Sequence, residues 1–186
     1  MKNKNITLLA LSAVVVALAS FVAFEEFGPT TVAYSAAVMI PKTPVQIAGE
    51  ADYAIIGIVK DMTPIRVDMP NPGDEDRVYT DVTIHVLDDV YGNHGEKTIS
   101  FRIMGGEASK LKMVAEESPE FRLGETVLVY INQDPDNYTF QGHNYLVGQA
   151  QGALSIDEHG NATDKYRGNT FNKDLIVSQS KISKGV

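Results

Sequence analysis

From Val78 to Val90 the chain alternates. Val78, Thr80, Val82, Ile84 and Val86 fall on one face, with Tyr79, Asp81, Thr83, His85 and Asp89 on the other. A period of two places successive side chains on opposite faces of an extended strand, whereas a helix would scatter the same apolar set around its axis. The stretch therefore requires a sheet with one buried face. Gly92-Asn93-His94-Gly95 follows as a turn, and Lys97 to Met104 returns with Ile99, Phe101 and Ile103 facing inward. The two runs predict a hairpin.

Around it the chain reads as short apolar runs bounded by Gly, Asn, Asp and Pro. Tyr53 to Val59 is apolar throughout, which predicts a central strand buried on both faces, and Gly57 within it marks a bulge or a close approach by a neighbouring strand. Met62 to Arg77, with Asp74-Glu75-Asp76, reads as a loop. Glu107 to Glu117 carries Leu111, Val114 and Ala115 at a loosely helical spacing and predicts a short helix. Phe121 to Glu125 leads into Thr126 to Ile131, a buried strand by its β-branched content. Asp134-Pro135-Asp136-Asn137 is a turn, and Tyr138 to Gln141, Tyr145 to Val147 and Leu154 to Ile156 complete a meander. Strand, long hairpin, short helix and further strands give an all-β expectation: a small OB-like β-barrel with one short helix, or alternatively an open β-sandwich.

The opening of the chain constrains where that fold works. Lys2 and Lys4 precede a run from Ile6 to Phe24 whose polar members are Thr7, Ser12 and Ser20, closed by Glu25 and Glu26. About 20 apolar residues cross a bilayer, so the run reads as a transmembrane or signal helix with the lysines on the cytoplasmic side. A cleaved signal peptide would use the small residues Ala17-Leu18-Ala19. Retention is the preferred reading, since a cut there leaves Phe21, Phe24 and Phe27 on an exposed new terminus. A pilin-type start is disfavoured because no acidic residue stands between Met1 and Leu9. The expected organisation is an anchor helix over 1–27, a tether rich in Pro, Thr, Ser and Ala over 28–43, a β-barrel domain over 44–160, and a polar tail over 161–186 that ends as a docking helix or a frayed end.

Composition narrows the partners. The formal net charge of -8 opposes binding to nucleic acid, which needs a basic face to displace counterions. With no cysteine in the chain, disulfides, thiolate metal sites and cysteine nucleophiles are excluded.

The stretch from Ala51 to Ile131 resembles a widespread group of exported proteins of archaea and bacteria to which no activity is attached. The likeness rests on Ala51-Asp52-Tyr53 leading into Gly57-Ile58-Val59, on Tyr79-Thr80, on Gly105-Gly106, and on Phe121 with Gly124-Glu125 before Val127-Leu128-Val129-Tyr130. It covers under half of the chain and implies a small extracytoplasmic barrel in which Gly57, Tyr79, Thr80, Gly105, Gly106, Gly124 and Glu125 determine the fold. The arrangement is also similar to the netrin-like, metalloproteinase-inhibitor OB fold. That family's zinc-chelating N-terminal cysteine is missing, so its inhibitory function does not carry over.

Candidate chemistry is sparse. His85 and Asp81 share a strand face and could ligate a metal or act as base and orienter, but same-face neighbours lie about 7 Å apart and need ligands from other strands. Asp134 and Asp136 could offer calcium oxygens, yet lack the spacing of a twelve-residue calcium loop, and turn chemistry accounts for them. Glu125 precedes a buried strand and reads as structural. No nucleophile elbow, phosphate loop or zinc helix signature occurs, so neither a catalytic residue nor a cofactor is expected. Asn137-Tyr138-Thr139 and Asn161-Ala162-Thr163 are acceptor patterns for N-linked glycan. Tyr79 and Tyr91, on the outer face, could contact an envelope protein or a glycan. The expectation is a non-enzymatic extracytoplasmic binding module, held at the membrane through its N-terminal helix. An exported metal-dependent enzyme and a structural subunit of a surface layer or fibre are the alternatives.

Overall fold

A computed structural model describes residues 30–36, 38–69, 75–92, 95–133, 140 and 142–186. The apolar run Ile6 to Phe24 and the turn residues Asp134, Asp136 and Asn137 lie outside the described residues. The fold is mostly β. Its elements are β1 (Thr31–Ser35), α1 (Pro44–Glu50), β2 (Tyr53–Val67), β3 (Arg77–Tyr91), β4 (Thr98–Met104), β5 (Gly106–Ala108), β6 (Leu111–Ala115), β7 (Thr126–Gln133), β8 (Asn144–Leu146), a 3₁₀ turn (Gln149–Gly152), β9 (Ala153–Ile156), β10 (Asn161–Asp164), β11 (Thr170–Asn172) and α2 (Lys173–Lys184). Val32–Val186 forms one compact unit. Among the described residues no helix is long and apolar enough to cross a membrane.

The large sheet runs β11-β10-β9-β7-β2-β3-β4-β8, and β8 also pairs with β7. The pairings β7-β2-β3-β4-β8 therefore return to β7, with β4 and β8 parallel at Arg102↔Tyr145 and every other step antiparallel. A separate three-stranded sheet runs β1-β6-β5.

β2 is flanked by β3 and β7 and buried on both faces over its first half. Ala54 and Ile56 pack with Ile47, Ala48, Leu128, Tyr130, Leu154 and Ile176 beneath the two helices. Ile55 and Val59 pack with Val82, Ile84, Phe101, Val127, Val129 and Ile131 in a second core. An all-apolar run is what a strand needs when both of its faces are dry. Gly57 sits at a register irregularity, and a Cβ built there would lie 2.5 Å from the His85 carbonyl oxygen, so β3 approaches as closely as it does because the side chain is missing.

Several expectations are corrected. Met62 to Val67, read as part of a loop, continues β2 in register with β3 as far as Val67↔Arg77. Pro64 is tolerated because β7 pairs only as far as Ile58, which leaves the outer side of β2 there without a ladder among the described residues. Glu107 to Glu117 is a hairpin, not a helix. Gly105 and Gly106, at φ 101° and 131°, turn the chain out of β4, and Ser109 and Lys110, at φ 49° and 62°, make the two-residue turn between β5 and β6. Within the stretch over 28–43, the described residues Ile40 and Lys42 are held by a contact distant in sequence. The nearly buried Gln151 accepts the Lys42 N–H at 2.7 Å and donates to the Ile40 carbonyl at 3.3 Å. α1 was not anticipated, although Thr43-Pro44-Val45-Gln46 carries a capping box and an N-terminal proline.

The stretch over 161–186 extends the sheet as β10 and β11 and closes with α2. α2 docks through Ile176 and through Ser180, whose hydroxyl lies 2.7 Å from that of Tyr130. Burial pushes the Tyr130 phenol up to about 12, with the Ser180 hydrogen bond opposing it. Where a backbone carbonyl occupies the space of a side chain, a single methyl must displace a strand. Gly57→Ala is expected to lower unfolding free energy by about 2 kcal/mol or more in urea denaturation; a change under about 0.5 kcal/mol would show that β3 gives way freely.

Candidate functional site

The outer face of β3 and β4 carries the polar half of the alternation. Asp81 accepts from Arg102 Nε at 2.6 Å and Nη2 at 2.8 Å, a two-pronged pair in which the Arg102 side chain is almost fully buried. The guanidinium lies 5.6 Å from the centre of the Tyr79 ring. Next along the face the hydroxyls of Thr83 and Ser100 are 2.8 Å apart, and His85 stands opposite Thr98. With both Asp81 oxygens on Arg102, the structure does not bring Asp81 and His85 to a common ligand. Among the described residues no group of three His, Cys, Asp or Glu side chains could hold a metal ion.

The two tyrosines expected to offer their faces to a partner do not. Tyr79 is fully buried, with Phe140 edge-on at 6.3 Å, and Tyr91 is buried with its hydroxyl on the Ala48 carbonyl at 2.7 Å. Burial, then the neighbouring Tyr130 and Asp52, push the Tyr91 phenol far up. The rings nearer the surface are Phe140 and Tyr145, stacked 4.9 Å apart and parallel within 1°.

Beside this face opens a cleft of about 510 Å³ lined by Tyr53, Gly92, Glu96, Thr98, Ile99, Ser100, Gln133 and Asn144. Five strands or strand ends meet there: the start of β2, the residue after β3, the first half of β4, the end of β7 and the start of β8. Asn144 is positioned by its own side chain, whose Nδ2 donates to the Ser100 carbonyl at 3.0 Å. Its amide oxygen, the Thr98 hydroxyl and the Gln133 amide have no partner among the described residues. The lining is thus made largely of neutral donors and acceptors, with one carboxylate and one tyrosine.

A second hollow, of about 400 Å³, lies between α1, α2 and the turn after β10. Several of its polar groups are used within the fold. Lys42 pairs with Glu50, Gln151 pins the Lys42 N–H, and Asp164 accepts the N–H groups of Tyr166, Arg167 and Asn169. The first cleft gathers the neutral hydroxyl and amide side chains of Thr98, Gln133 and Asn144 on one wall, and it is the candidate site.

The remaining motif residues meet in structural contacts. The Thr80 hydroxyl donates to the Gly105 carbonyl at 2.7 Å, and a Cβ on Gly106 would meet that hydroxyl at 2.6 Å. Gly124, at φ 80°, lets the chain turn so that its N–H reaches the Val59 carbonyl. Asn161 opens β10 directly after an exposed turn and is half-buried. Its Nδ2, the atom that would carry a glycan, donates to Asp157 at 2.8 Å, and this bond, with further N–H groups on the same carboxylate, holds Asp157 below its usual value.

Glu125 accepts from Lys165 at 2.7 Å, from Ser155 at 2.6 Å and from the Arg122 N–H at 3.0 Å, while Lys165 also lies 5.0 Å from the centre of the Phe121 ring. Burial pushes its carboxyl up, but the hydrogen bonds from Lys165 and Ser155, the Lys165 charge and the Arg122 N–H outweigh that and hold it below the usual carboxylate value. Through Glu125 the knot joins the lead-in of β7 to β9 and the turn after β10.

The chain matches no protein-family model and no curated protein sequence.

A carboxyl held low in the fold contributes stability above its unfolded value, near 4.3, and the contribution is lost as pH falls through the lowered folded value. Glu125→Gln is therefore expected to reduce the urea midpoint near pH 7, with the gap to the parent narrowing below about pH 4 and closing in stronger acid. A gap unchanged down to about pH 2 would place the effect in packing instead of charge.

Proposed function

We propose that this chain is a non-enzymatic binding module displayed outside the cytoplasm, held at the membrane by its N-terminal apolar run or released after cleavage. In this reading β7-β2-β3-β4-β8 is an OB-like barrel, and the cleft beside β4 and β8 takes an envelope glycan. The strand order and the single parallel step between β4 and β8 support the barrel. OB-type barrels bind oligonucleotides and oligosaccharides on one strand face and its flanking loops. The charge of -8 favours the second class over the first. The observation that carries the reading is the lining of the cleft: Thr98, Ser100, Gln133 and Asn144 offer hydroxyls and amides, the groups that pair with sugar hydroxyls, and Tyr53 adds a ring.

The metal-dependent alternative gains no support from Asp81, which Arg102 already occupies. The test starts from the purified full chain in detergent and an array of neutral and N-acetylated oligosaccharides. A bound oligosaccharide should lose about tenfold in affinity on Gln133→Ala combined with Asn144→Ala, the equivalent of one or two lost hydrogen bonds. Intact cells displaying the chain should bind the same labelled sugar and lose that binding after brief surface proteolysis. Absence of any bound sugar, or affinity indifferent to both substitutions, would overturn the glycan reading and direct attention to an envelope protein as the ligand.

A further inference from the structure

β1 is the outer strand of the three-stranded sheet, so one of its edges has no partner strand among the described residues. An unpaired edge is a template for another strand, and folded proteins guard it with lysine, proline, bulges or extreme shortness. The other ends of the two sheets carry such guards. β5 is three residues long and includes Gly106 and Glu107, and β11 is three residues that run directly into α2. β1, Thr-Val-Ala-Tyr-Ser, carries neither charge nor proline, and Thr31, Val32 and Tyr34 are strand-favouring residues. Val32 is 47% and Tyr34 78% exposed, two large apolar side chains on one face of the strand. In a chain of net charge -8, the whole stretch from Gly28 to Pro41 is uncharged, so two copies can approach here without bringing acidic groups together.

The backbone sets the geometry of any added strand. Glu116 donates its N–H to the Ser35 carbonyl at 3.2 Å, so residues 31, 33 and 35 direct their backbone groups toward β6, and Val32 and Tyr34 direct theirs outward. This pattern is self-complementary. In an antiparallel pairing centred on Ala33, Val32 of each copy faces Tyr34 of the other and exchanges both backbone hydrogen bonds with it, while Ala33 faces Ala33 at a non-hydrogen-bonded position. Each Val32 and Tyr34 then forms a β-branched and aromatic cross-strand pair, and Thr31 meets Ser35 on the opposite face.

We propose that two copies of this chain pair edge to edge through β1, antiparallel about Ala33, joining their three-stranded sheets into one continuous sheet across a twofold axis. The contact is isologous and consumes the edge it uses, so assembly stops at two. It involves none of the residues of the cleft and stands apart from the glycan reading.

The chain contains no cysteine, so one introduced thiol reports its own neighbourhood. In the full chain in detergent, Ala33→Cys places two thiols on Cα atoms about 4.5 Å apart, within disulfide reach. Val32→Cys places its two copies diagonally, about 8 Å apart and beyond that reach. Leu123→Cys, on an exposed residue outside β1, reports random collision within micelles. Under mild oxidation Ala33→Cys is expected to reach covalent dimer at least about tenfold faster than either control, and adding Tyr34→Glu should slow it about tenfold, with far-ultraviolet circular dichroism unchanged in each variant. A rate for Ala33→Cys no higher than that of Leu123→Cys would overturn the proposal and leave the edge to a peptide of another protein. Equal rates for Ala33→Cys and Val32→Cys would overturn the register, and indifference to Tyr34→Glu would overturn the contact.

Discussion

Everything in this fold depends on the first half of β2 being dry on both sides. Ala54 and Ile56 complete the core beneath α1 and α2, and Ile55 and Val59 complete the core shared by β3, β4 and β7. β2 thus joins the two hydrophobic clusters, together with β7, which places Leu128 and Tyr130 in the first and Val127, Val129 and Ile131 in the second. Its backbone is bonded on one side to β3 and on the other to β7, so its polar groups are satisfied where no water reaches them. The cost of this position is the absence of a side chain at Gly57, where β3 closes to contact.

The strands that bury a face were legible because burial writes a period into sequence. Tyr53 to Val59, Val78 to Val86, Ile99 to Ile103 and Val127 to Ile131 are strands where the apolar pattern says they are. Segments whose structure comes from partners far along the chain were not legible. Ile40 and Lys42 are ordered by Gln151, Met62 to Val67 by the ladder to β3, and β10, β11 and α2 by the edge of β9 and by Tyr130. The segment after Gly105-Gly106 misled for another reason. Leu111, Val114 and Ala115 fit a helical spacing, but two glycines at positive φ and the tight turn at Ser109-Lys110 set a hairpin that periodicity does not record. α1 was legible in principle from its capping box, and its shortness concealed it.

The functional surface follows the same division. His85 and Asp81 do share a strand face, yet Arg102, from the next strand, takes both Asp81 oxygens, and no single-strand pattern reveals that. Tyr79 and Tyr91 were read as outer-face residues from their parity alone. Phe140 and α1 cover them, which a period of two cannot express. The cleft draws single residues from four places in the chain, Tyr53, Gly92, Gln133 and Asn144, and Glu96, Thr98, Ile99 and Ser100 from a fifth, a combination that no local pattern marks. Glu125 was read as structural from its place before a buried strand, while its partners Lys165 and Ser155 lie too far along the chain for sequence to indicate.

The coupling of the two cores through β2 is tested most directly by native-state amide hydrogen exchange resolved to single residues. If β2 joins both cores, the amides of Ile55, Ile56 and Ile58 should exchange with the slowest group in the protein, together with those of Leu128 and Val129 on β7, at a free energy equal to that of global unfolding. The amides of β5 and β6 should exchange well before them. Exchange of the β2 amides at the rate of the β5–β6 hairpin, or with α2 alone and ahead of β7, would contradict the account, since either would mean that one core survives without the strand held to join them.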